Sequence, residues 1–267
     1  MSSLDAHGLA APVRPVVLVT GAGQRLGREI ALDLARNGYD IAVHFRRSRA
    51  EAEATVADAR ELGVRSCAFE ADLSDETACA RLVPEVADAF GRIDAVVNNA
   101  SHFVYDNVAS FSHAQMAAHW QANTAPAVIL ARALHDHVLG SAHNGCVVNL
   151  IDQKLWNPNP DYFSYTLSKA ALEAAGTLLA QALAPRVRVT GVAPGVTLVS
   201  GPMTREQFHS SHRMTPLQRS SLPGDIARAV RFLIESPAIT GTTLLVDGGQ
   251  HLSPQSRDVM FLAQKDQ

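Results

Sequence analysis

The sequence is short of several things, and each shortage removes a class of protein. It holds only three cysteines in 267 residues: Cys67, Cys79 and Cys146, far apart and without a CxxC pair. That spacing excludes a disulfide scaffold and offers no sulfur cluster for a metal, so no metal is expected and reduced, buried thiols of a cytoplasmic protein are. An excess of one charge is lacking too. The 23 Lys and Arg against 26 Asp and Glu give a net charge of −3, which implies no nucleic-acid or anionic-membrane partner. No apolar run reaches the length of a membrane span. Residues 1–14 have no basic region followed by an apolar stretch, so they read as a loose leader rather than a secretory signal. No Gly-, Ser- or Pro-rich linker, low-complexity tract or short repeat divides the chain, which favours one domain.

What is present is material for a large core, with 47% hydrophobic and 18% charged residues. Short β-branched runs alternate with longer amphipathic segments. Strands are predicted over 16–19, 41–45, 64–69, 93–97, 146–151, 187–192 and 243–246. Helices are predicted over 25–37, 50–62, 75–90 (capped by Ser74), 112–139, 164–183 and 223–235, with Gly38 and Gly63 as stops. Alternation with short connections predicts an α/β, Rossmann-type, doubly wound parallel sheet of seven strands with helices on both faces. The domain covers residues 15–252, and 253–267 form a tail. Residues 201–222 are polar and Pro-bearing without clean periodicity. With the residues from 196 onward they are expected to form a loop over the substrate, lined by Leu198, Met203 and Leu217. His209 and His212 in it lack a third ligand and read as solvated.

Between the first strand and first helix lies Thr20-Gly21-Ala22-Gly23-Gln24-Arg25-Leu26-Gly27. Glycines permit a tight turn and close approach of backbone to a pyrophosphate at a helix N-terminus. After the second strand an NAD site would place an acid; this chain reads His44-Phe45-Arg46-Arg47-Ser48. Two guanidinium groups and a hydroxyl suit a 2′-phosphate, so NADPH/NADP+ is preferred over NAD(H). A solvated basic loop is the bland alternative.

Tyr165 and Lys169 stand four residues apart, on one face of a predicted helix. A nearby cation would lower the tyrosine pKa and let the phenol pass a proton as hydride moves at the neighbouring carbon.

These motifs together resemble the short-chain dehydrogenase/reductase family over about residues 16–252. The matches are the glycine turn, Asp72 (with Leu73) after the third strand, Asn98-Asn99-Ala100, Asn123, Tyr165 to Lys169, Pro194-Gly195 and Val246-Asp247-Gly248-Gly249. The resemblance implies that Asp72 binds adenine and that the turn at Asn99 and Ala100 passes the adenosine ribose. It further implies that Lys169 binds the nicotinamide ribose, that Asn123 holds a water of a proton relay, and that Pro194 and Gly195 pack on the nicotinamide. Two positions depart from the common pattern. Arg25 stands where a third glycine is usual. Asp152, thirteen residues before Tyr165, stands where a serine is usual.

Both departures resemble the pteridine reductase branch, as do His44 to Ser48 and Ser101-His102-Phe103. There the Ser and Phe contact the pterin. A carboxylate would repel the oxyanion of a carbonyl reduction but can relay a proton to a ring nitrogen. Arg25, Ser101, Phe103, Asp152, Trp156, Tyr165 and Leu198 are therefore the substrate-binding candidates. Asp152, Tyr165, Lys169 and Asn123 are the catalytic ones. Asp152 also fits as a turn cap, Phe103 as core, and Trp156 as core or subunit contact. The resemblance implies NADPH-dependent reduction of a dihydropterin, of the dihydrobiopterin or dihydromonapterin type, or of dihydrofolate. A carbonyl or alcohol oxidoreductase of the same family is the alternative. A non-catalytic NADP-binding sensor is a third reading, against which the intact Tyr165 and Lys169 argue. Helices 112–139 and 164–183, apolar on several faces, and the family's habit imply a homotetramer.

Overall fold

The computed structural model describes residues 13–200 and 203–262. Leader residues 1–12, Gly201, Pro202 and the last five of the tail lie outside the described residues, and with them most of the leader reading. Seven parallel strands form one sheet: β1 Val16–Val19, β2 Asp40–Phe45, β3 Ser66–Glu70, β4 Ala95–Asn98, β5 Gly145–Leu150, β6 Val187–Pro194 and β7 Thr243–Val246, in the order β3-β2-β1-β4-β5-β6-β7. The period of two within a strand divides the core. Val17 and Val19 of β1 pack with Ile30, Leu34, Val56, Ile226 and Leu233 on one face. Val16 and Leu18 pack with Leu82, Val86, Leu130 and Leu134 on the other. Helices α1 (Arg25–Arg36), α2 (Arg49–Glu61) and α8 (Pro223–Glu235) supply the first face. Helices α3 (Glu76–Phe90), α5 (Ala125–Leu139) and α6 (Phe163–Ala182) supply the second. Each fully buried leucine or isoleucine contributes about 2 kcal/mol of apolar transfer.

Three expectations are corrected. The long helix is interrupted: α4 (His113–His119) passes into a π turn at Trp120–Thr124 before α5. The predicted cap Ser74 is not the cap of α3. That helix begins one residue later, so Asp75 occupies the capping position and its carboxylate accepts from Thr77 and Ala78 N–H at 2.8 and 3.1 Å. The segment before α8 is not irregular throughout. Helix α7 (Arg205–Arg213) forms there, started by a reciprocal cap between Thr204 and Gln207 whose spacing was present in the sequence. The tail residues Val259–Leu262 add a short helical turn, α9.

The strand order changes sense between β1 and β4, the switch point at whose strand carboxyl ends such sheets bind ligands. The glycine turn sits at that point and is held from both sides. Asn99 Nδ2 donates to the Thr20 carbonyl (2.9 Å), and Thr20 Oγ1 accepts from Asn99 N–H and Ala100 N–H at 2.9 and 3.0 Å. A Cβ at Gly27 would collide with the Gly21 carbonyl and stand 2.5 Å from Asn99 Nδ2. Gly27→Ala is therefore expected to lower stability by about 1–3 kcal/mol in a denaturant melt; an unchanged midpoint would show that the turn yields.

Candidate active site

Two clefts meet at the switch point. The first, of about 450 Å³, is lined by Gly21, Gln24, Arg25, Leu26 and Gly27 of the turn, and by His44, Phe45, Arg46, Arg47 and Ser48 after β2. Asp72, Leu73, Asn99, Ala100 and Ser101 close it. Its floor is the start of α1, where Gln24 makes no side-chain cap and leaves the first N–H groups for a ligand. Arg25 adopts φ +53°. That left-handed backbone explains why glycine is usual here; a non-glycine residue holds it against a steric penalty. The Arg25 guanidinium donates to the Val199 carbonyl at 2.8 Å and to Ser200 Oγ at 3.2 Å, and it lines both clefts.

The basic stretch divides into parts. Arg46 and Arg47 are exposed and have no ion pair among the described residues. Arg49 is tied to Glu70 and lies over the Phe45 ring. His44 is not a cationic contact. Burial pushes it down to about 4, so it is neutral at physiological pH. Its Nε2–H donates to the Ala71 carbonyl (3.1 Å), and Nδ1 accepts from Gly21 N–H (3.1 Å). It fixes the glycine turn. Asp72 accepts from Ser74 N–H and Oγ at 3.0 and 2.7 Å, and these bonds hold its carboxyl below the usual range. The cleft thus offers a glycine cradle, free helix N–H groups and two arginines, a donor set that fits a dinucleotide with a 2′-phosphate.

The second cleft, about 500 Å³, holds the chemistry. Arg25, Ser101, Phe103, Asp152, Tyr165, Lys169, Pro194, Gly195 and Leu198 line it. Tyr165 Oη donates to Asp152 Oδ2 at 2.9 Å, and Asp152 Oδ1 accepts from Lys154 N–H at 2.9 Å. The two sequence readings of Asp152, turn cap and proton partner, are both met, one by each oxygen. Burial raises the Asp152 pKa despite these bonds. Burial and the neighbouring carboxylate push Tyr165 well above its ordinary value. The expectation of a tyrosine lowered by Lys169 is overturned. The ammonium lies 5.7 Å from the ring centre and donates to the Leu150 carbonyl at 2.6 Å. Tyr165 instead keeps its proton and donates it in a hydrogen bond to Asp152.

Asn123 lies behind the cleft. Its Nδ2 donates to the His102 carbonyl and Ser168 Oγ at 3.0 and 2.9 Å, and its Oδ1 accepts from His102 N–H at 2.6 Å and Ser101 Oγ at 3.3 Å. The amide is saturated by protein, so its side chain positions the 101–103 loop against α6 and has no site left for a relay water. Phe103 is 42% exposed, stacked on Tyr162 (4.3 Å, 13°) and edge-on to Tyr165 (4.7 Å). Trp156 is half-exposed and lines neither cleft, and Leu217 points to solvent.

Sequence reasoning missed part of the wall: Gln153, Lys154, Gln250 and the former tail residues Asp258, Val259 and Met260. Lys154 Nζ pairs with Asp258 at 3.2 Å, and Arg257 binds Asp161 through two bonds of 2.8 Å. These pairs fasten the tail over the cleft. The alternation of charges at Asp161, Arg257 and Asp258 was visible in the sequence, but pairing over nearly a hundred residues has no local signal.

Lys169 carries a stability test. Burial depresses it from 10.5 to about 8. Between those values the unfolded chain binds more protons, so the native protein gains stability as pH rises from about 8 to 10.5. Relative to Lys169→Met it should gain about 3 kcal/mol across that window, read by denaturant melts at several pH values. A flat difference would show that the ammonium is not desolvated.

A model of the enoyl-(acyl carrier protein) reductase family matches residues 21–251. FolM alternative dihydrofolate reductase 1 from Brucella canis, solved with NADP, is 41% identical over 90% of this chain and 95% of that one, with a TM-score of 0.84. The corresponding protein from Brucella suis, also in complex with NADP, is 40% identical over 92% and 98% at a TM-score of 0.87. The 3-oxoacyl-[acyl-carrier-protein] reductase FabG of Staphylococcus aureus is 32% identical over 88% of this chain and 97% of its own. With the seven-stranded sheet, the glycine turn and the buried Tyr165 and Lys169, the chain belongs to the short-chain dehydrogenase/reductase family.

Proposed function

We propose that this protein is an NADPH-dependent reductase of a dihydropterin or dihydrofolate, acting on a ring C=N bond. The observation that carries the reading is the 2.9 Å hydrogen bond between Tyr165 Oη and Asp152 Oδ2 in the wall of the second cleft. When bound, the dihydronicotinamide supplies the hydride. Lys169 would hold the nicotinamide ribose, the turn at Asn99 and Ala100 would pass the adenosine ribose, and Pro194 and Gly195 would form the wall behind the nicotinamide. Tyr165 delivers a proton to the substrate nitrogen, and Asp152 relays to the tyrosine a replacement proton taken up from solvent. A group with a raised pKa is suited to that role, because it stays protonated until a strong base forms next to it. A carbonyl reductase of this family usually carries a serine at the position of Asp152, as the donor to an oxyanion. Phe103 supplies an aromatic surface for a flat ring. The FolM neighbours support the same reading. The exposed Trp120 and Val128 around the π turn, and Leu167 and Leu178 on α6, are the surfaces through which copies would form a tetramer.

NADPH oxidation with dihydrobiopterin, dihydromonapterin and dihydrofolate, set against 3-oxoacyl thioesters and simple ketones, tests the proposal. Turnover of a dihydropterin or dihydrofolate is expected; turnover of the carbonyls alone would overturn it in favour of a ketoreductase. Asp152→Ser should lower kcat/KM for the pterin by about 100-fold or more, and an unchanged rate would remove Asp152 from the mechanism. Loss of both guanidinium groups in R46A/R47A should raise KM for NADPH by about 10-fold or more while leaving that for NADH nearly constant. An equal effect on both would show that these arginines do not read the 2′-phosphate.

A further inference from the structure

Three consecutive side chains on the turn after β5 line the second cleft, and two of them are engaged. Asp152 is bound to Tyr165, and Lys154 to Asp258. Gln153, between them, is only 8% exposed, and its main-chain carbonyl accepts from Trp156 N–H at 2.9 Å. Its carboxamide makes no hydrogen bond among the described residues, and Oε1 is fully buried without a partner. Gln250, the other glutamine of the cleft wall, is different: its Oε1 accepts from Val196 N–H at 3.2 Å.

A buried amide left unpaired costs free energy, and an apolar side chain of similar shape would not. A group of that kind on the wall of a cavity has a use when a ligand supplies its partners. The carboxamide offers an acceptor and two donors in one plane. Its terminal torsion is broad and two-fold, so either end can turn to the cavity. The matching surface is a planar ring edge on which an N–H stands beside a carbonyl or amino group. An acyl chain or a simple ketone has no such edge.

We infer that Gln153 is a specificity-determining residue, whose carboxamide hydrogen-bonds the amide-like edge of a flat nitrogen heterocycle in this cleft. The inference rests on the function proposed above and adds the group that distinguishes such a ring from other carbonyl or imine substrates. Asp152 serves the reacting side of the ring, and Gln153 reads its identity.

The test compares the unaltered enzyme with Gln153→Met and Gln153→Glu, using NADPH and the dihydropterin that it turns over fastest. Gln153→Met should raise KM for the pterin at least tenfold, change kcat less than threefold, leave NADPH affinity unchanged, and keep or raise Tm. A structural glutamine would behave the other way, lowering Tm without a selective effect on KM. Gln153→Glu keeps the shape and guards against a folding defect in the first variant. Its KM should rise at neutral pH and recover towards low pH, where the protonated carboxyl regains a donor. An unchanged KM in either variant overturns the assignment of Gln153 alone. Absence of turnover by the unaltered enzyme with every dihydropterin and dihydrofolate overturns the proposed function itself, and this inference with it.

Discussion

The hydrogen bond between Tyr165 and Asp152 is the interaction on which the rest of the cleft depends. It joins the end of β5 to the first turn of α6, between a buried phenol and a half-buried carboxylate in the cleft wall. Desolvation raises the pKa of both, Asp152 raises Tyr165 further because a phenolate beside a carboxylate is unfavourable, and the hydrogen bond from Tyr165 partly offsets the rise at Asp152. Phe103 covers Tyr165 edge-on, Tyr162 backs Phe103, and Met260 from the chain's far end closes on Tyr162.

The cofactor cleft follows a different logic. Its groups are mostly backbone, and the neighbouring side chains serve to hold that backbone still. His44, Thr20 and Asn99 spend their hydrogen bonds on the glycine turn, leaving charge to Arg46, Arg47 and Arg25. A neutral histidine with both ring nitrogens bonded stands beside two arginines that have no ion pair among the described residues, so shape and charge come from different side chains.

Much of this was legible along the chain because the decisive signals are local or of fixed spacing. The glycine turn follows a buried strand, Tyr165 and Lys169 share a helix face, and Asp152 lies thirteen residues before the tyrosine, across one short connection. The errors fall where neighbours in space are distant in sequence. His44 reads as part of a basic run, yet burial makes it neutral. The side-chain amide of Asn123 is filled by His102, Ser101 and Ser168, partners that no local pattern announces. The cap of α3 and the helix α7 were misread for a smaller reason, since capping chemistry turns on a shift of one residue or a spacing of three.

By itself, then, the sequence determined the doubly wound sheet, the phosphate turn and the residue types of the reaction, because strand and helix periodicity and motif spacing are properties of the chain alone. Only the tertiary structure decided the state of those residues. Burial set Tyr165 and Asp152 to hold their proton and depressed Lys169, against the lowered tyrosine that the bare Tyr–Lys spacing suggests. Folding also brought the tail over the cleft through Asp258 and Lys154 and left Oε1 of Gln153, in the cleft wall, without a partner among the described residues. Desolvation and long-range pairing depend on what surrounds a group in three dimensions, and no pattern along the chain records that.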